Sequence, residues 1–454
     1  MSDSVFPPAA GTSADAAAHP PVPAVSGRVT RAAVIGSVIE YYDFVLFGLA
    51  AALVFDDEFF PSDSPLAGSL GAFAAFAVGF LVRPLGGMVF GHIGDRAGRR
   101  PVLLATVLLM GLSTAAIGLL PTYDQVGVLA PVLLVVLRIV QGFGAGAEYV
   151  GALVLVAESS EPRRRGFWAS LPAAGVSLGL LLGTLVFTAV SALPDAGSWA
   201  WRAPFLLGLV GVAAGLYLRA RVPESVLFER ERLRGVARMP SAEVVRRRPR
   251  ALLTAAAIAA PFGAASYVIN VFVLSYVTHS AGLSTTAALI ANIAGNVVSI
   301  VLTPLFGLLS DRIGRRPVFL GCAVFLAAFA FPMFWLLDTG DPVLVAVVCA
   351  LGYGVGIGGM WAVQGALYTE LFPTRYRYSG IIVAREWSAA LGSGPAPFVA
   401  TALAAWAGGA TWPISVLLVG CMAVVIAAVA RAPETRDADL TDVVFDGSRA
   451  VAVI

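Results

Sequence analysis

The chain has 454 residues, 58% hydrophobic and 13% charged, with a mean hydropathy of +0.84 and a formal net charge of +2. Soluble domains run nearer ~45–50% apolar and ~25% charged, so a water-soluble globule is excluded, and so is disorder anywhere but at the ends. All thirty basic residues are arginine and they nearly balance twenty-eight acids, so the total points to no charged partner.

Residues 1–30 are rich in Pro, Ala and Ser and read as a disordered tail. The first basic residue is Arg28, so the basic n-region of a secretory signal is missing and the first hydrophobic stretch reads as a retained span. Apolar runs then follow at 31–55, 66–91, 101–120, 128–157, 167–191, 202–221, 251–279, 285–309, 318–337, 342–368, 379–404 and 411–431. Each is long enough to cross a bilayer, which takes ~20 residues, and twelve spans need about 240. The runs lack the alternating ~10-residue pattern of a membrane barrel. The expected fold is therefore an all-α integral membrane protein with twelve transmembrane helices in two pseudo-symmetric six-helix bundles, 31–221 and 251–431. A hydrophilic loop, 222–250, joins them, and a second tail covers 432–454.

Arginine placement orients the helices. With both tails on one side, that side collects twenty-six arginines, and the opposite side holds Arg202 with Asp56, Asp57, Glu58, Asp63, Asp124, Asp195, Asp338 and Asp341. Both termini are expected in the cytoplasm, in a plasma or inner membrane. Cys322, Cys349 and Cys421 lie in apolar runs, and His19, His92 and His279 are scattered, so neither a disulfide framework nor a metal site is expected.

Three landmarks recur at nearly one spacing. Gly91-His-Ile-Gly-Asp95-Arg96-Ala-Gly98-Arg99-Arg100-Pro returns as Gly307-Leu-Leu-Ser-Asp311-Arg312-Ile-Gly314-Arg315-Arg316-Pro. Glu158 before Pro162 returns as Glu370 before Pro373 and Arg375, and Pro223-Glu224-Ser225 as Pro433-Glu434-Thr435. Two six-helix halves of the same direction, bracketing a central site, are a transporter architecture.

The G-x3-D-R-x-G-R-R loop and its second copy resemble the signature of the major facilitator superfamily. Gly36-Ser-Val-Ile-Glu40-Tyr-Tyr-Asp43-Phe-Val-Leu-Phe-Gly48, Arg83-Pro-Leu-Gly-Gly, Arg138-Ile-Val-Gln141-Gly-Phe-Gly-Ala-Gly-Ala-Glu148, Trp201-Arg-Ala-Pro-Phe and Glu370-Leu-Phe-Pro-Thr-Arg375-Tyr-Arg-Tyr-Ser-Gly380 resemble its metabolite:proton symporter branch, relatives of proline/betaine and organic-acid symporters. Arg385 and Glu386 depart from that branch, where an aromatic followed by Asn is expected. The resemblance implies alternating access and proton coupling.

Charges inside spans are costly and by default functional. Glu40 lies nine residues past Arg31, roughly 13–14 Å along a helix and so near the middle of a ~30 Å core. Asp43 shares its face at i, i+3. Neighbouring carboxylates in a low-dielectric cavity resist double ionisation, so at least one is a candidate proton carrier; the alternative is that both are fixed partners of arginines. Glu148 is a candidate second proton site or an inner-gate partner. Arg138, with Gln141 on its face, is suited to grip a carboxylate, whether the substrate's or that of Glu40 or Asp43; a permanent ion pair is the competing reading. Arg385 and Glu386 either line the substrate site or neutralise each other, and Tyr41, Tyr267 and Asn270 are candidate polar lining.

The Asp-Arg-x-Gly-Arg-Arg loops read as a cytoplasmic gate. Asp95 ends its helix where an acid can meet the positive N-terminus of a neighbour, which the resemblance implies is helix eleven. Arg96, Arg99 and Arg100 would pair with acids such as Glu158 or with lipid headgroups, and Gly91 and Gly98 permit the tight turn. Asp311, Arg312, Gly314, Arg315 and Arg316, with Glu370 and Arg375, form the second copy. Gly175-Val-Ser177-Leu-Gly179 lies within a span and is no hydrolase elbow, and the Arg246–Arg250 run is a membrane-side anchor, so neither an enzyme nor a nucleic-acid partner is expected. The function expected is import of a small polar metabolite with protons, an organic acid ahead of a betaine-like zwitterion, by a monomer in the lipid bilayer with no cofactor beyond the proton gradient. A proton-coupled exporter is the first alternative. A non-transporting sensor is the second, against which the short tails speak.

Overall fold

The structure is a computed structural model. It describes residues 27–97, 99–146, 148–191, 199–220, 240–372, 377–436, 438, 443–446 and 449–452; at 27–28, 91–92, 94–97, 99–103, 148, 218–220, 240–243 and 443–452 the description is of the backbone. Residue-level expectations for Gly98 and Arg375, and for the side chains of Asp95, Arg96, Arg99, Arg100 and Glu148, lie outside the described residues.

Twelve spans follow in order. Spans 1 to 3 are Gly27–Leu53, Pro65–Ala97 and Arg99–Gly118. Span 4 joins Leu129–Gly144 to Glu148–Glu158, and spans 5 and 6 are Arg165–Ser191 and Arg202–Ala220. Span 7 is Pro249–His279, span 8 Thr285–Ile313, span 9 Arg315–Leu337 and span 10 Pro342–Leu371. Span 11 runs through Arg377–Ser388, Ala389–Ser393 and Ala396–Trp406, and span 12 is Trp412–Arg431. Nine of these, among the described residues, are long and apolar enough to cross a membrane by length and composition. Helices satisfy every backbone polar group within the segment, which is why apolar runs of this length adopt them in lipid.

The two halves meet along two seams, span 5 beside span 8 and span 2 beside span 11. Small residues allow the approach. A Cβ at Gly307 would meet the Gly166 carbonyl at 2.8 Å, and one at Gly394 would meet the Phe80 ring at 3.0 Å. Inside the first half, spans 2 and 4 interlock more tightly still: a Cβ at Gly142 would fall on the Gly79 carbonyl oxygen, and one at Gly86 on the Phe143 carbonyl.

Three features were not expected. Spans 7, 10 and 11 each contain a π-helical stretch, at Val268–Phe272, Ala350–Ile357 and Ala389–Ser393; all three lie in the second half, and such bulges gather at functional sites. The stretch 222–250 is not loop throughout, since Pro240–Arg247 is a short helix with Val244 buried and its neighbours Val245 to Arg247 exposed, touching span 11. Within 432–454, Val443–Asp446 and Arg449–Ala452 pair as a small antiparallel ribbon.

Candidate binding site at mid-depth

Four charges gather in a ring-like cluster across the middle of the molecule, linked in the order Glu40, Arg83, Glu386, Arg385. The Arg83 Nε–H on span 2 donates to Glu386 Oε2 on span 11 at 2.6 Å, and its Nη2 donates to Glu40 Oε1 on span 1 at 3.2 Å. The Arg385 Nη1 donates to Glu386 Oε1 at 2.8 Å, and its Nη2 to the Tyr41 hydroxyl at 2.6 Å. Glu40 and Glu386 are each 1% exposed, Arg83 2% and Arg385 9%. Two guanidinium groups and two carboxylates make the ring neutral, which is the condition for holding charges this deep. It also ties the halves together, because Arg83 belongs to the first and Glu386 to the second.

Beside the ring lies a cavity of about 40 Å³ lined by Tyr41, Arg83, Tyr267, Trp361, Gln364 and Arg385. A water needs ≳ 10–15 Å³ on this measure, so the cavity as it stands holds a few waters and no metabolite. Several buried polar atoms around it have no hydrogen-bond partner among the described residues: Glu40 Oε2, Trp361 Nε1, Gln364 Oε1 and the Tyr149 hydroxyl. Orphans of this kind are rare and call for an occupant. Behind the cavity wall the two cations rest on aromatic rings, Arg83 over Phe44 at 4.7 Å and Arg385 over Tyr149 at 4.4 Å.

Arg138 and Gln141 lie elsewhere. The Arg138 guanidinium sits 4.1 Å from the Phe47 ring centroid, with Phe44 and Phe76 at 5.3 and 5.2 Å. It donates to Gln141 Oε1, and Gln141 donates to Thr114 at 2.7 Å. No carboxylate among the described residues forms an ion pair with it; Asp43, 3% exposed, acts on it from further off. A phenylalanine layer thus parts the Arg138 group from the cavity. Neither Arg138 nor Gln141 lines the cavity, and Glu40 is held by Arg83 rather than by Arg138. Gly79 explains the offset, since a Cβ there would collide with the Arg138 side chain.

The arginine-rich end carries a second, denser cluster. Asp311, in the last turn of span 8, accepts the N–H groups of Gly166 and Phe167 at the start of span 5, at 2.8 and 2.9 Å. An acid at a helix N-terminus is stabilising by ~0.3–1 kcal/mol, up to ~2 when partly buried. Arg315 bridges Asp311 at 2.7 Å and Glu370 at 3.2 Å, and Glu370 also takes Arg165 of span 5 at 3.0 Å and the Thr435 hydroxyl at 2.6 Å. Glu158 pairs with Arg377 of span 11 at 2.6 Å. Gly314 stands at φ +105°, where a side chain is strained, and so turns the chain sharply enough for Glu434 to accept from the N–H of Arg315 at 2.8 Å and of Arg316 at 3.0 Å. The Arg316 guanidinium caps the end of span 12 through the Val429 carbonyl at 3.1 Å, and Arg436 reaches the Arg312 carbonyl at 2.7 Å. At the acidic end span 1 meets span 7, with Gly48 against Val271 and Asp56 facing His279 at 3.8 Å.

Of the residues expected to form the site, the structure brings Glu40, Tyr41, Tyr267, Arg385 and Glu386 together. Asp43, Arg138 and Gln141 stand apart from the cavity, and the Asn270 carbonyl serves the Asn292 amide at 3.0 Å. Arg385 and Glu386 do touch each other, yet Glu386 makes its shortest bond to Arg83. Among the described residues Glu158 pairs with Arg377; its expected pairing with Arg96, Arg99 or Arg100 lies outside them. Arg83, Trp361 and Gln364 complete the site. Arg83 is a charge within a span, the one sequence signal among the three.

Fold and site together define a twelve-span membrane carrier with a charged centre between duplicated halves. The chain belongs to the Major Facilitator Superfamily, whose family model matches residues 33–385 and again 262–444. It is 38% identical over 405 residues to the shikimate transporter of Escherichia coli (strain K12), covering 87% of this chain and 92% of the relative. It is 35% identical to the inner membrane metabolite transport protein YhjE of the same organism, over 82% and 87% of the two chains, and 34% identical to its proline/betaine transporter, over 79% and 74%. Among solved structures, the proton:xylose symporter XylE bound to 6-bromo-6-deoxy-D-glucose superposes with a TM-score of 0.69 at 19% identity over 91% of this chain and 97% of that one. A partially occluded inward-open form of the E. coli xylose transporter XylE gives 0.66 at 22% identity, over 90% and 98%. The chain is thus a multi-pass membrane transporter of this superfamily.

Proposed function

We propose that the chain imports a small hydroxylated organic acid together with protons, by alternating access, with both termini in the cytoplasm. The observation that carries this reading is the neutral four-charge ring beside a cavity whose walls present orphaned polar atoms. A substrate carboxylate entering the ring takes its net charge from zero to minus one, which a low-dielectric interior resists. One proton restores neutrality. Glu40 is the group for it, because protonation at the partnerless Oε2 leaves the Oε1 bond to Arg83 intact.

Trp361 Nε1–H and Gln364 Oε1, one donor and one acceptor a helical turn apart, suit hydroxyl groups on the solute. The charged side chains that line the cavity, Arg83 and Arg385, are both cations, which favours an acid over a betaine. The 38% identity to a shikimate transporter supports the same class, and the arginine-rich loops favour a cytoplasmic placement of both ends.

The test is a thermal-shift screen of organic acids and betaines on purified protein, followed by uptake of each hit into liposomes. Shikimate or a similar acid is expected to raise Tm, and an outward-acid pH gradient to drive its uptake. Glu40→Gln is expected to keep the thermal shift and lose the gradient-driven uptake. A hit that moves without pH dependence, unchanged by Glu40→Gln, would contradict the coupling.

A further inference from the structure

Two features of the ring go beyond proton coupling. First, Glu386 holds the Arg83 fork in the geometry a bound carboxylate would take, Nε to Oε2 at 2.6 Å and Nη2 to Oε1 at 3.4 Å. Arg–carboxylate recognition of this side-on, two-point kind is how arginine binds acids in general. Second, Arg83 to Glu386 is the ion pair that crosses between the halves at cavity depth among the described residues; Arg165 to Glu370 and Arg377 to Glu158 cross at the arginine-rich end, and Asp56 faces His279 at the acidic end. Arg83 and Arg385, the two cations that Glu386 binds, line the cavity of about 40 Å³, so a solute carboxylate entering there meets the arginine that Glu386 holds.

We infer that Glu386 is a built-in stand-in for the substrate's carboxylate: it occupies Arg83 while the site is empty, and the incoming acid displaces it. The inference rests on the reading of the substrate as an organic acid. Displacement strands no charge. Glu386 keeps its 2.8 Å bond to Arg385, Arg83 exchanges one carboxylate for another, and Glu40 stays on Arg83. Arg385 is therefore a positioning residue, a resting place for Glu386 once it leaves Arg83. A neutral analogue cannot take Glu386's place on Arg83, so Glu386 competes with acids alone and an uncharged solute of the same shape gains nothing from its removal.

The experiment measures binding of shikimate and of its neutral methyl ester to the full chain in detergent, for wild type, Glu386→Gln and Glu386→Asp. Removing the internal competitor is expected to tighten shikimate binding about tenfold in Glu386→Gln while the ester's affinity stays as in wild type. Glu386→Asp, a methylene shorter and a poorer fit to Arg83, is expected to gain a few-fold, and it carries the test should Glu386→Gln not fold. A merely structural tie predicts that acid and ester move together, or that neither moves; either result overturns the inference and leaves the organic-acid reading standing. If the wild type binds neither shikimate nor any other hydroxylated acid, the organic-acid reading falls, and the inference with it.

Discussion

The mid-depth ring and the cluster at the arginine-rich end are both buried networks of arginine and carboxylate, yet they are built differently. At the end, the acids are shared among several donors: Glu370 serves Arg165, Arg315 and Thr435, and Asp311 serves two backbone N–H groups besides Arg315. Helix termini supply part of the stabilisation there. In the ring, by contrast, Glu40 Oε2 has no partner among the described residues, and the helix end that reaches it, the Ala145 carbonyl, takes Arg83 Nη2 at 3.4 Å. Carboxylates shared among several donors make a fastening, even with Arg165 Nε left without a partner among the described residues, whereas a carboxylate oxygen left unpartnered beside a cavity leaves work for a proton and a ligand. The halves are thus latched at one end and chemically poised in the middle.

The largest effect is expected from Arg83→Met. It leaves Glu40 and Glu386 buried without their shared cation, and breaking a buried pair in this way costs about 3–5 kcal/mol. Thermal unfolding in detergent reads the loss, and adding Glu386→Gln to Arg83→Met is expected to return part of it; strictly additive losses would show that the ring is not one network. Glu370→Gln comes next. Hydrogen bonds to charged groups are worth ~1.5–3 kcal/mol, and weakening those to Arg165 and Arg315 loosens only the fastened end. In a variant with Cys322, Cys349 and Cys421 changed to Ala, a cysteine at Ser170 on the span 5 to span 8 seam is expected to be alkylated several-fold faster once Glu370→Gln is added. Unchanged alkylation would deny the cluster its fastening role.

A smaller loss, ~1–3 kcal/mol, is expected from Gly142→Ala, because the new methyl meets the Gly79 backbone and not a side chain that can swing away. Gly151→Ala on the same helix is the control, with nothing nearer than the Tyr378 ring at 3.7 Å, and is expected within ~0.5 kcal/mol of wild type. The smallest effect belongs to Arg385→Lys. Lysine keeps the charge but not the fork that holds Glu386 and Tyr41 at once, so a three- to tenfold rise in KM for uptake is expected with little change in Tm.

The fold could be read from the sequence because lipid imposes a simple rule: apolar runs of a given length become spans, arginines collect on one side, and Asp95 with Asp311 marks a duplication. The charges in the site are visible for the same reason, since Glu40, Arg83, Arg385 and Glu386 interrupt long apolar runs. Their partners are not. Whether Glu40 meets Arg138 or Arg83 depends on how spans 2 and 4 interlock through Gly79, Gly86 and Gly142, and no periodicity records that. Trp361 and Gln364 were overlooked because an uncharged side chain in an apolar run gives no signal of its own. The π-helical stretches likewise have no sequence period to announce them. Asp311 at the start of span 5 was anticipated as one of a pair of latches, because an acid repeated at a helix end has a physical task that does not depend on the rest of the fold.

Neutrality of the ring is the claim on which proton and solute coupling stand, and the driving force for uptake tests it most directly. Shikimate accumulation in liposomes is measured under a pH gradient alone and under a potassium-diffusion potential alone. One proton per monoanion moves no net charge, so the pH gradient is expected to drive accumulation and the potential to leave it unchanged. Accumulation driven by the potential and indifferent to the pH gradient would contradict the account.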